Sequence, residues 1–271
     1  MASVQYGTRP EGRSRPARAH RWVWLPVLLV GFGLFIAVQR ALVLTGNPAL
    51  VPSLLLLGAL IIPVSFVVYI DGRDPDFDLP LSVLVSCALL GGVLGAALAS
   101  VAEFDIMRRL GVLPTIYIGL IEEAAKLLVP VAVLIFTRYR ANPADGLLVG
   151  VAVGMGFAVL ETLGYGFVTL LATGGDLTDA ESQILLRGIL SPAGHAAWTG
   201  LAAAALWWAH AQRWRLRAVA AAVGTFVLVV ALHTLWDSVH TWYAYLIIGL
   251  ISFALLLHRT HHNVLHSSSA G

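Results

Sequence analysis

LPTIYIGLIEEAAKLLVPVAVLIFT, residues 113–137, decides what kind of protein this is. The run is long enough to cross a hydrocarbon layer, which takes about 20 mostly apolar residues, yet Glu122, Glu123 and Lys126 sit inside it. Three ionisable side chains on adjacent turns of a membrane-length helix are costly to bury, so function is their default explanation. Lys126 is also the only lysine in the chain. Outward from this stretch the intrusion recurs. Glu161 lies in Gly-Phe-Ala-Val-Leu-Glu-Thr, His195 in Gly-His-Ala-Ala-Trp-Thr-Gly, and His233 with Asp237 in Leu-His-Thr-Leu-Trp-Asp. Four hydrophobic segments each carry a group that lipid would reject.

Composition fixes the class around them. Of 271 residues 58% are hydrophobic and 12% charged, with a mean hydropathy of +0.83, which excludes a soluble domain. Windows of membrane length fall near 23–45, 50–70, 79–101, 113–137, 145–172, 187–210, 216–238 and 240–257. They lack the dyad alternation of a barrel, and their Leu, Ala, Val and Gly content suits packed helices. The expected fold is all-α, a polytopic transmembrane helix bundle of about eight spans. Residues 23–257 would form a single transmembrane domain with a motif core at 113–238. A disordered basic cytoplasmic tail, residues 1–22, would precede it. The first apolar run is too long for a cleaved signal and reads as a retained anchor. Residues 258–271, with His258, His261, His262 and His266, read as a flexible solvated tail rather than a metal tract. The single Cys87 leaves no intrachain disulfide.

Short loops rich in arginine stay cytoplasmic. The N-terminal tail, Arg138 and Arg140, Arg213, Arg215 and Arg217, and Arg259 fall on one side of an eight-span chain, so both termini are expected in the cytoplasm. The opposite side receives the loop around Asp176, Asp179 and Glu181. Arg40, Arg108 and Arg109 run against this pattern.

Depth and spacing predict that the charged groups meet. Glu122, Glu161 and His195 come out at similar depths in the outer half of the layer, with His233 nearer the surface. Residues at i and i+4 share a helix face, which pairs Glu122 with Lys126 and His233 with Asp237. Left singly in lipid, Glu122, Glu123, Lys126, Glu161, His195, His233 and Asp237 would together cost on the order of 10 kcal/mol or more. They must face inward and one another. Gly146, Gly150 and Gly154 form a small-residue stripe that lets a neighbouring helix approach closely.

Each group also has a plainer reading. Glu122 and Lys126 can be a structural ion pair, Glu123 can hold a helix contact, and Asp237 can be a solvated boundary residue. Trp198 and Trp236 read as packing or interfacial belt residues. Taken together, buried acids and histidines suit peptide hydrolysis, which needs a base to deprotonate water and donors for the oxyanion. No Gly-x-Ser-x-Gly elbow is present, and Cys87 has no intramembrane base near it, so a covalent nucleophile is not indicated.

Glu-Glu-Ala-Ala-Lys at 122–126, Phe-Ala-Val-Leu-Glu-Thr at 157–162, His-Ala-Ala-Trp-Thr-Gly at 195–200 and His-Thr-Leu-Trp-Asp at 233–237 resemble, in this order, the PrsW family of intramembrane proteases. That family looks related to the CAAX-processing and bacteriocin-immunity glutamic proteases. Glu161 stands where the CAAX branch carries His, and Asp237 where it carries Asn, which favours the PrsW-like reading. The resemblance implies a metal-independent glutamate protease of a bacterial plasma membrane. Its substrate would be a single-pass membrane regulator such as an anti-sigma factor, cut on the outer side. It further implies Glu122 as the water-activating base with Glu123 assisting and Lys126 supporting. His233, with Asp237, would polarise the scissile carbonyl, and Glu161 and His195 would complete the water site. No cofactor is expected. The alternatives are a zinc protease, since Glu, His and Asp are acceptable ligands although no His-Glu-x-x-His occurs, a proton-coupled transporter or channel, and a noncatalytic receptor or scaffold. Nucleic-acid binding is not expected, because orientation already accounts for the basic loops.

Overall fold

The computed structural model of the protein describes residues 21–73, 77, 79–142 and 144–268, with side chains described as far as residue 260. The chain runs through α1 (Trp24–Thr45), α2 (Val51–Asp71), α3 (Leu81–Leu110), α4 (Thr115–Phe136), α5 (Asp145–Ala172), α6 (Leu177–Leu190), α7 (Ala197–Ala211), α8 (Leu216–Ser238) and α9 (Trp242–Ser268). No strand occurs among the described residues. The architecture is the all-α polytopic bundle expected. Six helices, α1, α2, α3, α5, α8 and α9, are long and apolar enough to cross a membrane. α4 matches them in length, with 22 residues, and differs by carrying Glu122, Glu123 and Lys126.

Hydrophobic length makes the helices, and Pro and Gly bound them. Pro80 and Pro114 sit in extended conformation just before α3 and α4, where a missing N–H costs nothing. Gly111 closes α3 at φ 72°, a left-handed cap that turns the chain directly into α4.

α5 is the axis. It packs against α2, α3, α4, α6 and α7, and its residues from Asp145 to Met155 are all buried. The expected glycine stripe explains the close approach of α7: a Cβ on Gly150 would strike the Thr199 carbonyl, and one on Gly154 the carbonyl of His195. A second apolar cluster, around Phe35, Leu54, Leu55 and Ile184, ties α1 to α2 and α6. Large apolar side chains such as Leu29, Val93, Val227 and Leu250 point outward, as a lipid-facing surface requires.

Three expectations change. The sixth window, 187–210, is not one helix. α6 ends at Leu190, and a π-turn over Pro192–Ala196, in which the Ala196 N–H donates to the Ser191 carbonyl at 3.2 Å, precedes α7. Pro192 lacks the N–H that a continuous helix needs, and the chain widens to accommodate it. The loop expected around Asp176, Asp179 and Glu181 is largely helical, because the Asp176 carboxylate caps α6 by accepting from the Thr178 N–H at 2.8 Å. Where a flexible tail was expected from residue 258, α9 continues through Ser268. Most of the expected basic tail, residues 1–20, lies outside the described residues, as do Asp74, Asp76 and Asp78, which with Asp71 read from the sequence as an acidic cytoplasmic loop, and the side chains of His261, His262 and His266.

Candidate active site

Four helix segments bring the charged residues to one end of the bundle. Glu122 is seven residues past the start of α4, Glu161 eleven before the end of α5, His195 within the π-turn before α7, and His233 five before the end of α8. At a rise of about 1.5 Å per residue, Glu122 lies about 10 Å and His233 about 8 Å below their helix ends. The helices alternate in direction, so residues near a start and near an end meet in one layer.

Lys126 is the hub of that layer. Its fully buried ammonium donates to Glu122 Oε2 at 3.1 Å and Glu123 Oε1 at 2.8 Å, and lies 4.1 Å from the centre of the Phe157 ring. It also lies 3.1 Å from His195 Nδ1. An ammonium has no acceptor, so His195 must accept at Nδ1 and carry its proton on Nε2. That nitrogen sits 2.9 Å from Glu161 Oε2, though Oε2 gains no well-aligned hydrogen bond there. Glu161 Oε1 is held by Arg187 Nη2 at 2.8 Å.

The other half of the layer surrounds His233. Its Nδ1 lies 2.8 Å from Glu123 Oε1, and its Nε2 is 3.6 Å from Glu122 Oε2 and 3.3 Å from Asp237 Oδ2. Both ring nitrogens therefore face carboxylates. Glu123 is fully buried, with Oε1 committed to Lys126 and His233, while Glu122 keeps 8% exposure. The helix contact open to Glu123 in the plainer reading is present, as a cross-helix bond to His233 Nδ1 at 2.8 Å. All seven expected residues, Glu122, Glu123, Lys126, Glu161, His195, His233 and Asp237, join one connected network.

Three neighbours were not read from the sequence as part of it. Trp198 is 1% exposed and stacks on His233, with centroids 4.7 Å apart and planes at 25°. Its indole N–H donates to Ser252 Oγ at 3.0 Å, which fixes the plate from behind. The motif His-Ala-Ala-Trp placed it three residues after His195, one helical turn, and that spacing was the available signal. Arg187 arrives from α6 and lays its guanidinium 3.9 Å from the Tyr165 ring centre. Glu103, from α3, faces the same charges and has a buried Oε1 without a hydrogen-bond partner. It follows Gly91, Gly95 and Ala99 at steps of four, the stripe by which α3 meets its neighbours.

A cavity of about 240 Å³ opens beside this network, with His195 and Trp198 in its wall. The arrangement offers a carboxylate, Glu122, next to an imidazole nitrogen of His233, and the cavity touches the network through His195 and Trp198.

The family model described as PrsW family intramembrane metalloprotease matches residues 79–258. The match takes in α3 and most of α9 as well as the four motif-bearing segments. No curated protein and no solved structure matches the chain. A metal is implied by that description, and the donor set does not fit one. Among the described residues no group of three or more His, Cys, Asp or Glu side chains is arranged to hold a metal ion. The position between Glu122, Glu123 and His195 where a cation belongs is taken by the Lys126 ammonium.

Proposed function

The chain belongs to the PrsW family of intramembrane proteases, and we propose that within it Glu122 activates water to cut a single-pass membrane protein while His233 stabilises the carbonyl oxygen. The observation that carries this reading is the pairing of Glu122 Oε2 with His233 Nε2 at 3.6 Å, on an imidazole whose other nitrogen is anchored to Glu123 at 2.8 Å. A water bridging the two from the side would touch both a base and a donor.

The carboxylate of Glu122 takes a proton from water as the water oxygen adds to the peptide carbonyl carbon. The carbonyl electron pair moves onto oxygen, where the N–H at His233 Nε2 donates to it. Collapse of the tetrahedral intermediate breaks the C–N bond, and Glu122 returns its proton to the leaving amine. Glu123 and Asp237 position and charge-balance His233. Lys126 is a positioning residue that holds Glu122 and Glu123 apart from each other and joins them to the His195–Glu161 arm. No step passes through a metal.

The reading extends to a glutamic catalytic class and to a substrate resembling an anti-sigma factor, cut near its outer membrane boundary in a bacterial plasma membrane. Arginine placement supports that side. Arg138 and Arg140 beyond α4, Arg213 and Arg215 before α8 and Arg217 in its first turn lie at the end of the bundle away from the cluster, so retention of basic loops in the cytoplasm turns the cluster outward. Co-expression with candidate single-pass anti-sigma factors tests it. Wild type should release a fragment cut on the outer side, and Glu122→Gln should lower the rate by about 10²–10⁴, the contribution of a positioned base, at unchanged expression. Cleavage that survives in Glu122→Gln rejects the mechanism.

A further inference from the structure

The cavity beside His195 has a chemistry that the hydrolytic steps leave unused. Besides His195 and Trp198 its wall sets Thr162, Gln183, Arg187 and Ser191 among apolar neighbours such as Leu186 and Trp236, in a space that adjoins the membrane-spanning helices. Arg187 is held in advance. Nη2 bonds Glu161 at 2.8 Å and the guanidinium rests 3.9 Å from the Tyr165 ring centre, while Nε is buried and has no hydrogen-bond partner. Glu161 neutralises its charge, which disfavours a phosphate or free carboxylate as the missing partner and favours a neutral acceptor such as an amide carbonyl. Leu190 and Tyr245 are shared with a second, apolar groove of about 320 Å³ whose walls include Phe66, Ala193, Gly249 and Phe253.

A transmembrane helix presents no free peptide carbonyl, because every backbone group within the hydrocarbon is used inside the helix. Cutting one therefore requires a few residues to unwind, and their freed N–H and C=O groups need partners that lipid does not provide. We propose that the cavity formed by α6, the π-turn and α7 is the cleft for that unwound stretch of substrate, with the Arg187 guanidinium and the Gln183 amide bonding its backbone carbonyls, and that the apolar groove along α9 takes the part still helical. The proposal rests on the protease reading above and names how its substrate is held. The cleft with its polar groups and the apolar groove share Leu190 and Tyr245, where a helix would pass into extended chain. His195 and Trp198 line the cleft, and Trp198 is stacked on His233.

The test uses the full chain carrying Glu122→Gln, in lipid nanodiscs, and two labelled synthetic single-pass peptides. One is an uninterrupted Leu/Ala helix and the other carries a Gly-Pro pair in its outer half. The interrupted peptide, which unwinds readily, should bind about tenfold more tightly, the worth of one hydrogen bond to a charged donor. Arg187→Leu should abolish that preference. Gln183→Leu, which leaves the Arg187–Glu161 pair intact, should reduce it and guards against a folding defect in the first variant. Equal binding of the two peptides, or a preference unchanged in both variants, overturns the cleft. Proteolysis is scored separately in the wild-type chain with the single-pass candidates. Preferential binding without cleavage retires the hydrolytic reading and keeps the cleft, whereas cleavage without preferential binding does the reverse.

Discussion

The Lys126 ammonium lies 3.1 Å from His195 Nδ1, a contact across 69 positions of sequence that joins the α4 glutamates to the Glu161–Arg187 pair. Without it the layer would fall into two separate charge clusters. One ammonium thus bonds two carboxylates and selects the tautomer of an imidazole on another segment.

Replacing Lys126 by Met should expose this dependence in stability before activity is considered. Glu122 and Glu123 would be left buried without their cation, and removing one partner of a buried pair costs about 3–5 kcal/mol. Equilibrium unfolding in detergent should record a loss of that size. Adding Glu122→Gln and Glu123→Gln to the same chain should recover part of it, since neutral amides need no counter-charge; no recovery would mean that packing of the lysine stem, not its charge, is what matters.

Trp198→Ala should remove the plate against which His233 rests. Truncating a buried tryptophan costs about 3–5 kcal/mol, and the freed imidazole should lose its alignment with Glu122, so cleavage should fall with stability. Trp198→Phe keeps an aromatic face and loses only the donor to Ser252 Oγ, worth about 1 kcal/mol. Its cleavage rate should stay close to wild type. A Phe variant as inactive as the Ala variant would assign the role to the indole N–H instead of the stack.

Two glycines of α5 should respond in opposite directions to the same substitution. A methyl at Gly154 meets the His195 carbonyl, and overpacking of this kind costs about 1–3 kcal/mol. A methyl at Gly164 meets nothing within 4 Å, and helix propensity then favours alanine by about 1 kcal/mol. Thermal unfolding of Gly154→Ala and Gly164→Ala gives both signs, and only the former should also slow proteolysis, through displacement of the π-turn.

Chelators offer a test of the donor-set argument. With the cation position between Glu122, Glu123 and His195 filled by Lys126, EDTA or 1,10-phenanthroline should leave the cleavage rate unchanged, and added zinc should not raise it. Loss of cleavage on chelation, restored by zinc, would put the zinc protease ahead of the glutamate mechanism.

The sequence revealed the fold class and the charged layer for a single physical reason. Lipid rejects charge, so Glu122, Glu161, His195 and His233 stand out from their apolar surroundings without any alignment, and the hydrophobic lengths that frame them spell helices. What escaped was everything that depends on tertiary direction. Arg187 reads as the basic edge of a span; only the widened turn at Pro192 makes α6 a separate short helix whose last turns approach α5. Trp198 reads equally well as belt or core, because aromatic residues serve both and periodicity does not say which ring lies beneath them. Glu103 sits in a segment where a single acid near a helix end is ordinary, and its place opposite Glu122 follows from the tight Gly111 turn that folds α3 back on α4. Lys126 was legible as a helical ion pair at i and i+4, but its bond to His195 crosses helices, beyond what local spacing encodes.

Burial of the lone lysine has a practical corollary. Apart from the chain's α-amino group, the folded protein offers succinimidyl esters no primary amine, since Lys126 has no exposed surface. Acylation at that position therefore marks molecules whose interior has opened, and its rate under native conditions supplies an intrinsic clock for unfolding, read by mass spectrometry without any engineered tag.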